Sequence, residues 1–561
     1  MKTMKHFLYI VLVLACVLAL TFVMVGCDNS QTDEPAPETT ETTIPFDTGL
    51  VGGPDAEVPY YDELGAELGA LIRGTEVEYR ETEEKKLEIR VGEISGFLQE
   101  GAYIASDVTA VVPAHTLYVR SAVNLRDVDG RLLAPLANKG DTVEVLGCDY
   151  VDAEGAAHMY RVKLGDEEGY IMPWYLVDTE EAALENYDAG YYQTHVNRGN
   201  AYGGGNAAYL DYFPREKGPI EGNEMPSECR TLYIAAWRVA EVDDFIAIAD
   251  QSGINAFVVD IVDGDAFGYV GDVMKEYSPS TAKYANNTVE DYQAAIKKIK
   301  DAGYYVIGRI TTFNDYFYVK DHPEVAISST SGEALKLSGS YWPTPFSRTA
   351  WQYKVDMAVE AVKVMGFNEI QFDYVRFPDS TWSYDKAGTI DYHNTYGESK
   401  AQAIQRFLMY AADILHENGA YVSADVYGES AFTYVTAYGQ YWPAISNVVD
   451  AISGMPYPDH FGADGDYKPW LHPYETLYNW GTSVAKRQTE TATPAAVRTW
   501  IQTYDAIRAP YNTYGVEEVS AQIKGLRDSG CTGGYMTWYY GSSLTKFRTL
   551  IPAFAPPEGE E

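Results

Sequence analysis

Eight apolar, β-rich strings recur along the second half of the chain. They are Thr231–Trp237, Ala256–Asp263, Tyr304–Phe313, Glu369–Pro378, Tyr421–Gly428, Ala451–Pro458, Arg498–Asp505 and Gly533–Tyr540. Between most of them lie amphipathic stretches such as Val289–Gly303, Trp351–Gly366 and Ser399–Gly419, each stopping at a glycine. Glycine takes the left-handed conformation that ends a helix, so the recurring order is helix, stop, strand. Eight strand signals alternating with helices over roughly 320 residues predict an α/β chain with a (β/α)8 TIM barrel spanning residues 230–552. A doubly wound open sheet is the alternative. It usually carries a glycine-rich phosphate loop after its first strand, and the string YIAAWRVAEVDD has none.

The first half reads differently. From Thr116 to Asp178 short strands with glycine turns predict a small all-β domain over residues 116–178. Residues 60–115 hold helix-like and strand-like pieces without a domain assignment. Residues 179–229 are rich in Gly, Asn and Tyr and read as a linker or a cap, and residues 553–561 as an acidic tail. At the N-terminus Lys2 and Lys5 precede an apolar run from Phe7 to Val25, then Gly26, Cys27 and Asp28. That order of charge, apolarity and small residues predicts a signal peptide over residues 1–26. An uncleaved membrane anchor is the alternative, since the run is just long enough to span. The Thr-, Glu- and Pro-rich segment that follows has no apolar period and reads as a disordered tether over residues 27–59. Either way the body is expected outside the cytoplasm, held to a membrane.

Charge narrows the partners. The chain has 561 residues with 42 Lys and Arg against 81 Asp and Glu, a net charge of −39. Nucleic-acid phosphates need a basic surface, so duplex nucleic acid is excluded as a partner. The 47 tyrosines and 10 tryptophans exceed what a core needs, and neutral planar ligands are one use for the excess, a Tyr-rich surface another. Nine scattered histidines, with no H-E-x-x-H or C-x-x-C spacing, point to no metal and no cofactor. His393, His460 and His472 fall in expected loops. Cys229 precedes the first barrel strand and Cys531 the eighth, strands that become neighbours when a barrel closes. A disulfide between them is expected, of a kind permitted outside the cytoplasm.

Active residues of such barrels come from the C-terminal ends of strands. Polar residues gather there: Asp260 and Asp263, Arg309, Asp373 and Arg376, Asp425 and Tyr427, Gln502 and Asp505, and Trp538. Alternation turns Ile370 and Phe372 toward the helices and Gln371 and Asp373 toward the axis. The same count places Asp260, Ser423, Asp425 and Tyr427 inward. A carboxylate facing a barrel mouth is costly unless paired or used. Taken singly, each of these acids is explained by an ion pair with Arg309 or Arg376. Taken together they suit glycoside hydrolysis, where one carboxyl protonates the leaving oxygen and a second attacks carbon or activates water. Crowding two carboxylates raises one pKa and supplies the acid at neutral pH. Tyr374, Tyr427, Tyr457, Trp237, Trp538 and Tyr539 are candidates for stacking on sugar rings.

Four resemblances add to this. Met24-Val25-Gly26-Cys27 resembles a bacterial lipobox, which implies a lipid anchor on Cys27. The strings VNLRDVDG, KGDTVEVLG, MYRVKL and GYIMPWYL resemble the bacterial SH3-like domain, a family whose members often bind cell-wall peptides; a plain spacer is the alternative. IQFDYVRFPD (Ile370 to Asp379) resembles the F-D-Y-V/I-R-F-P signature of a bacterial TIM-barrel family described as glycoside hydrolases. The strand layout is similar to the alpha-amylase clan, which implies Asp373 as nucleophile, Asp425 as acid/base and Asp505 as a further acid, with Asp260 in support. Gln371 stands where that clan has Arg, and Asp425 where it has Glu, with Glu429 as a second candidate. The expectation is a membrane-tethered lipoprotein of the cell envelope that hydrolyses a polysaccharide or envelope glycan. Arg309, Arg376, Tyr374, Tyr427, Tyr457, Gln502 and Trp538 would contact the substrate. A non-catalytic glycan-binding protein and a wall adaptor working through residues 116–178 are the alternatives.

Overall fold

A computed structural model describes residues 44–195 and 204–555. The signal segment, Cys27 and the last residues of the acidic tail lie outside the described residues. The tail expected from residue 553 starts later than the sequence suggests. Ala553 and Phe554 are buried, and the Phe554 carbonyl accepts a hydrogen bond from Gly253 N at 2.9 Å.

The expected tether also ends early. Its last stretch holds two strands, Asp47–Gly52 and Glu57–Tyr61, and residues up to Ala105 complete a seven-stranded antiparallel sheet. The first of these strands is made by distant partners: it pairs with Glu76–Glu81 on one side and Tyr103–Ala105 on the other. Such pairing leaves no local periodicity to read.

The unit at residues 115–177 is a second seven-stranded sheet, and its strand order repeats that of the first. Numbered within each unit, both run 3-2-6-5-4-1-7. Details repeat as well. Asp62 and Asp127 each close the turn between strands two and three, each carboxylate accepting two backbone N–H bonds, from Leu64 and Ala66 or from Asp129 and Arg131. Gly65 and Gly130 supply the positive φ in that turn, at 83° and 81°. Gly74 N donates to Val51 O at 2.8 Å, and Gly140 N to Val119 O at 2.7 Å. Residues 47–105 and 115–177 are therefore two tandem copies of one module.

The second copy is welded to the barrel. Arg126, 2 % exposed, pairs with Asp413 at 2.7 Å, and the Tyr175 hydroxyl donates to the same carboxylate at 2.8 Å. Arg348 Nε donates to Asn124 Oδ1 at 2.8 Å, and His158 Nε2 meets Glu417 Oε1 at 3.0 Å. Asn124 and Arg126 belong to the N-L-R string, so that string is consumed in docking.

The barrel strands are Cys229–Ile234, Ala256–Asp263, Tyr305–Thr311, Glu369–Asp373, Tyr421–Tyr427, Ala451–Met455, a seventh in two pieces (Ala496–Val497 and Thr499–Gln502), and Gly534–Trp538. All neighbours are parallel and sequential, and the first strand pairs with the eighth. The broken seventh strand closes the ring, its first piece on strand six and its second on strand eight. Alternation sorts the side chains: Phe257, Val259, Ile370, Phe372, Val422 and Ala424 join the core under the helices, while Val258, Ile307, Tyr421, Trp500 and Met536 fill the barrel. Near the N-terminal mouth the Arg498 guanidinium, fully buried, holds Glu369 at 2.7 and 2.6 Å, and Tyr305 OH donates to Glu369 at 2.9 Å. The segment expected as linker or cap reaches this mouth: Asn223 Nδ2 donates to the carbonyls of Asn368 and Gly419, and Ile220 and Met225 pack against the barrel interior.

The three described cysteines are free and buried, so the expected bridge between Cys229 and Cys531 is not formed. Cys229 faces the barrel interior, while Cys531 turns outward to the carbonyl of Gly481. Adjacent strands brought the residues near, and opposite facing keeps the thiols apart.

One of the contacts that dock the second copy is a buried charge pair, which yields a prediction. Asp413→Ala leaves Arg126 buried without its counter-charge, and breaking a buried pair this way destabilises by about 3–5 kcal/mol. Thermal unfolding of the two proteins side by side checks this, with the midpoint of the variant expected several degrees lower.

Candidate active site

At the C-terminal mouth of the barrel a cavity of about 300 Å³ opens between aromatic walls. Tyr374, Tyr427, Tyr457, Trp500 and Trp538 line it, with Tyr540 at its exposed edge and Asp263, Asp373, Arg309, Arg376 and His460 as its charged and titratable groups.

Arg309 is the centre. Strand three points its side chain inward, where it is 2 % exposed and surrounded by four carboxylates. Its Nη1 meets Asp260 at 2.7 Å and Asp263 at 3.2 Å, its Nη2 meets Asp373 at 2.5 Å, and its Nε lies 3.7 Å from Asp425. Burial opposes the guanidinium charge, but Asp373, Asp260 and Asp263 outweigh it and hold Arg309 fully ionised. Trp538 lies 5.5 Å from the guanidinium and closes one side.

The structure thus brings Asp260, Asp373 and Asp425 together, and it ranks them. Asp425 is fully buried; Trp500 Nε1 donates to its Oδ1 at 2.7 Å, and its Oδ2 has no hydrogen-bond partner. Burial first, then the neighbouring Asp373, drive its pKa well above the usual carboxylate range, against the pull of Arg309 and Trp500. Asp260 is also fully buried, takes a hydrogen bond from Tyr233 OH, and is pushed by burial to about 7 despite Arg309. Asp373 reaches the cavity. The next residue, Tyr374, has φ of 49°, a left-handed conformation unusual for a bulky side chain, and its N–H donates to Asp373 Oδ1 at 2.6 Å. Strain of this kind concentrates at functional sites.

Around this cluster Arg376 stacks 4.4 Å from the ring centre of Tyr427 and donates to its hydroxyl at 2.6 Å. Tyr457 and Trp538 also line the cavity. Two expected residues stand elsewhere. Strand seven ends at Gln502, so Asp505 lies beyond it, 57 % exposed, bound to Lys546 at 2.8 Å and to Tyr514 N at 2.9 Å. Gln502 is fully buried and ties loops together, donating to Tyr504 O and accepting from Asp459 N. Glu429, the second candidate for the acid, is occupied by the hydroxyls of Tyr434 and Tyr438, each at 2.8 Å.

Residues outside the expected set also reach the cavity. Asp263 is the last residue of strand two, and Trp500 shares the inward parity of Gln502. His460, read as a loop residue, lines the wall beside Tyr457. The first two were available from strand-end position and parity; nothing in the sequence marks His460. Among the described residues no group of three or more His, Cys, Asp or Glu is disposed to hold a metal ion. The four acids around Arg309 face its guanidinium rather than a common point.

Comparison with known proteins supplies the family. No curated protein matches the sequence. Among solved structures, a hypothetical protein from Ruminiclostridium thermocellum is 31% identical over 35% of this chain and 97% of its own, with a TM-score of 0.30. The glycoside hydrolase domain of PgaB (BpsB) from Bordetella bronchiseptica is 15% identical over 58% of this chain and 99% of its own, with a TM-score of 0.42. A GH20 exo-β-N-acetylglucosaminidase from Vibrio harveyi is 11% identical over 60% of this chain and 55% of its own, with a TM-score of 0.38. The family model described as "Putative glycosyl hydrolase domain" matches residues 231–543, nearly all of the barrel and more than half of the chain. The chain belongs to that family.

Proposed function

We propose that this protein is a membrane-tethered, extracytoplasmic glycoside hydrolase acting on a polysaccharide or cell-envelope glycan. The observation that carries the reading is Asp373: a carboxylate at the floor of an aromatic-walled cavity, gripped by a buried arginine and crowded by a second acid. The family match supports the hydrolase class. The basic, apolar and Cys27-containing N-terminus supports the tether.

The proton inventory gives each group its task. Four carboxylates and one guanidinium cannot all be charged in a buried site, because each uncompensated charge costs several kcal/mol. Asp425, driven well up by burial, stays protonated near neutral pH, and Asp260, pushed to about 7, is partly protonated there. This leaves the charge of Arg309 chiefly to the acids that face the cavity. Asp373 is then an oriented anion at the position where positive charge develops on the sugar ring, the electrostatic contribution that usually dominates catalysis. Asp425, sealed behind Trp500, acts through Arg309 and Asp373 and does not itself meet substrate. Tyr374, Tyr427, Tyr457 and Trp538 present ring faces to sugar, and the Arg376–Tyr427 pair fixes one wall.

The N-terminal copies carry the barrel outward from the membrane. Residues 116–178, which we read as SH3-like, serve as a spacer, since the Asn124 and Arg126 face is spent on the barrel. This disfavours a wall adaptor working through that domain.

The reading is tested with the soluble body from Asp28 onward on envelope and storage polysaccharides, following reducing-end release. Asp373→Asn is expected to lower hydrolysis at least ~100-fold; equal activity in both proteins overturns the role of Asp373. Trp538→Ala is expected to raise KM by about tenfold through the loss of a stacking face worth roughly 1–3 kcal/mol. A pH dependence follows from Asp260. Its folded pKa of about 7 lies above the unfolded value, so its bound proton stabilises the fold fully below about pH 4, and that stabilisation is lost as pH rises through about 7. Asp425 acts in the same direction. The parent is expected to lose more thermal stability between pH 5 and pH 8 than Asp260→Asn, whose amide does not titrate.

A further inference from the structure

Most glycoside hydrolases place two carboxyl groups at the scissile bond, and the acids that the strand layout implied supply one. Asp425 and Asp260 each have fully buried side chains, capped by Trp500 and Tyr233. A group without access to the cavity cannot hand a proton to a substrate oxygen, which must come within about 3 Å of it. Among the acids around Arg309 the cavity touches two, Asp373 and Asp263. Their side chains are 9 % and 17 % exposed.

The two acids are set by the same arginine and by independent backbone devices. Asp373 is held on Nη2 and Asp263 on Nη1, so a planar guanidinium spaces them across the cavity floor. Asp263 is fixed by a tight hairpin: Val262 pairs with Phe267 and Asp263 with Ala266, and Gly264 turns the chain at φ of 61°. Gly264 N donates to Thr311 Oγ1 at 3.1 Å, tying that turn to the end of strand three. The hairpin is an addition to the barrel, antiparallel to strand two, and it ends the strand with the carboxylate over the cavity.

We propose that Asp263 is the second catalytic carboxyl group, the one that exchanges a proton with the glycosidic oxygen. This assignment rests on the hydrolase reading above. In the reaction the bond between the anomeric carbon and the leaving oxygen breaks, its electron pair staying on that oxygen, which takes the proton of Asp263. Water then supplies the oxygen of the new bond to the anomeric carbon, and its released proton returns to the carboxylate pair. Atoms and charges balance with water as the sole co-reactant. Asp263 binds Arg309 by the longer contact, 3.2 Å against 2.5 Å for Asp373, and is the more exposed of the two, so it is the acid less tightly committed to the arginine.

The test compares leaving groups. Asp263→Asn is assayed on the polysaccharide that the parent cleaves and on a dinitrophenyl glycoside of the sugar it releases, whose leaving group departs without protonation. The expected result is a fall in kcat of at least ~100-fold on the polysaccharide and less than ~10-fold on the activated glycoside, with KM little changed. Asp263→Ala with added azide is the second arm, and azide is expected to restore turnover of the activated glycoside. Unchanged activity on the polysaccharide overturns the assignment. So does an equal fall on both substrates without azide rescue, the behaviour of a residue that only supports the fold. A parent inactive on every glycan overturns the hydrolase reading, and this assignment with it.

Discussion

One buried guanidinium organises the functional end of this molecule. Arg309 neutralises acids delivered by strands two, four and five, and without it those strand ends would present four carboxylates to one another inside a low-dielectric barrel. The arrangement is affordable because burial raises the pKa of two of the acids, Asp425 well above the usual carboxylate range and Asp260 to about 7. The site therefore depends on a balance in which moving any one acid into water would change the charge state of the rest. A second buried pair, Arg498 and Glu369, is its counterpart near the other mouth.

Much of the barrel was legible because its signals are local. A helix that stops at glycine and a strand that alternates leave marks within a dozen residues; six strands fall within their strings, while the first starts at Cys229 and the seventh at Ala496, just before theirs. The inward set followed from parity alone, so Gln371, Asp373, Ser423 and Asp425 could be placed before any coordinates. What failed was whatever depends on where a strand ends or on partners far away. Asp505 was counted onto strand seven, which stops at Gln502. Cys229 and Cys531 were brought together by strand adjacency, but the side on which each thiol lies is a three-dimensional fact. The first β module leaves no local mark since its opening strand is defined by pairing with Glu76–Tyr79 and Tyr103–Ala105 rather than by its own pattern.

The tandem modules show how equal folds take unequal duties. Both copies keep the Asp-closed turn and the glycine at the fourth strand, the parts that the topology needs. They differ where the second meets the barrel: Arg126 stands at the end of its second strand, after a long salt-bridged reach to Asp413, and the corresponding residue of the first copy is Tyr61. Arg126, with Asn124, His158 and Tyr175, ties the second copy to the barrel. The N-L-R string, read in sequence as a mark of family, is in this chain a mark of assembly.

The burial of the Arg309 cluster also separates the site from its ionic surroundings. At a Debye length of about 8 Å in physiological salt, charges on the surface of this −39 chain are screened from one another, and their field shifts with every change in electrolyte. Arg309 and its carboxylates are largely shut from solvent, so the interactions that set protonation at this end of the barrel are screened by salt much less than those on the surface. The approach of a charged substrate would vary with salt, while the chemistry at the floor of the cavity would vary much less.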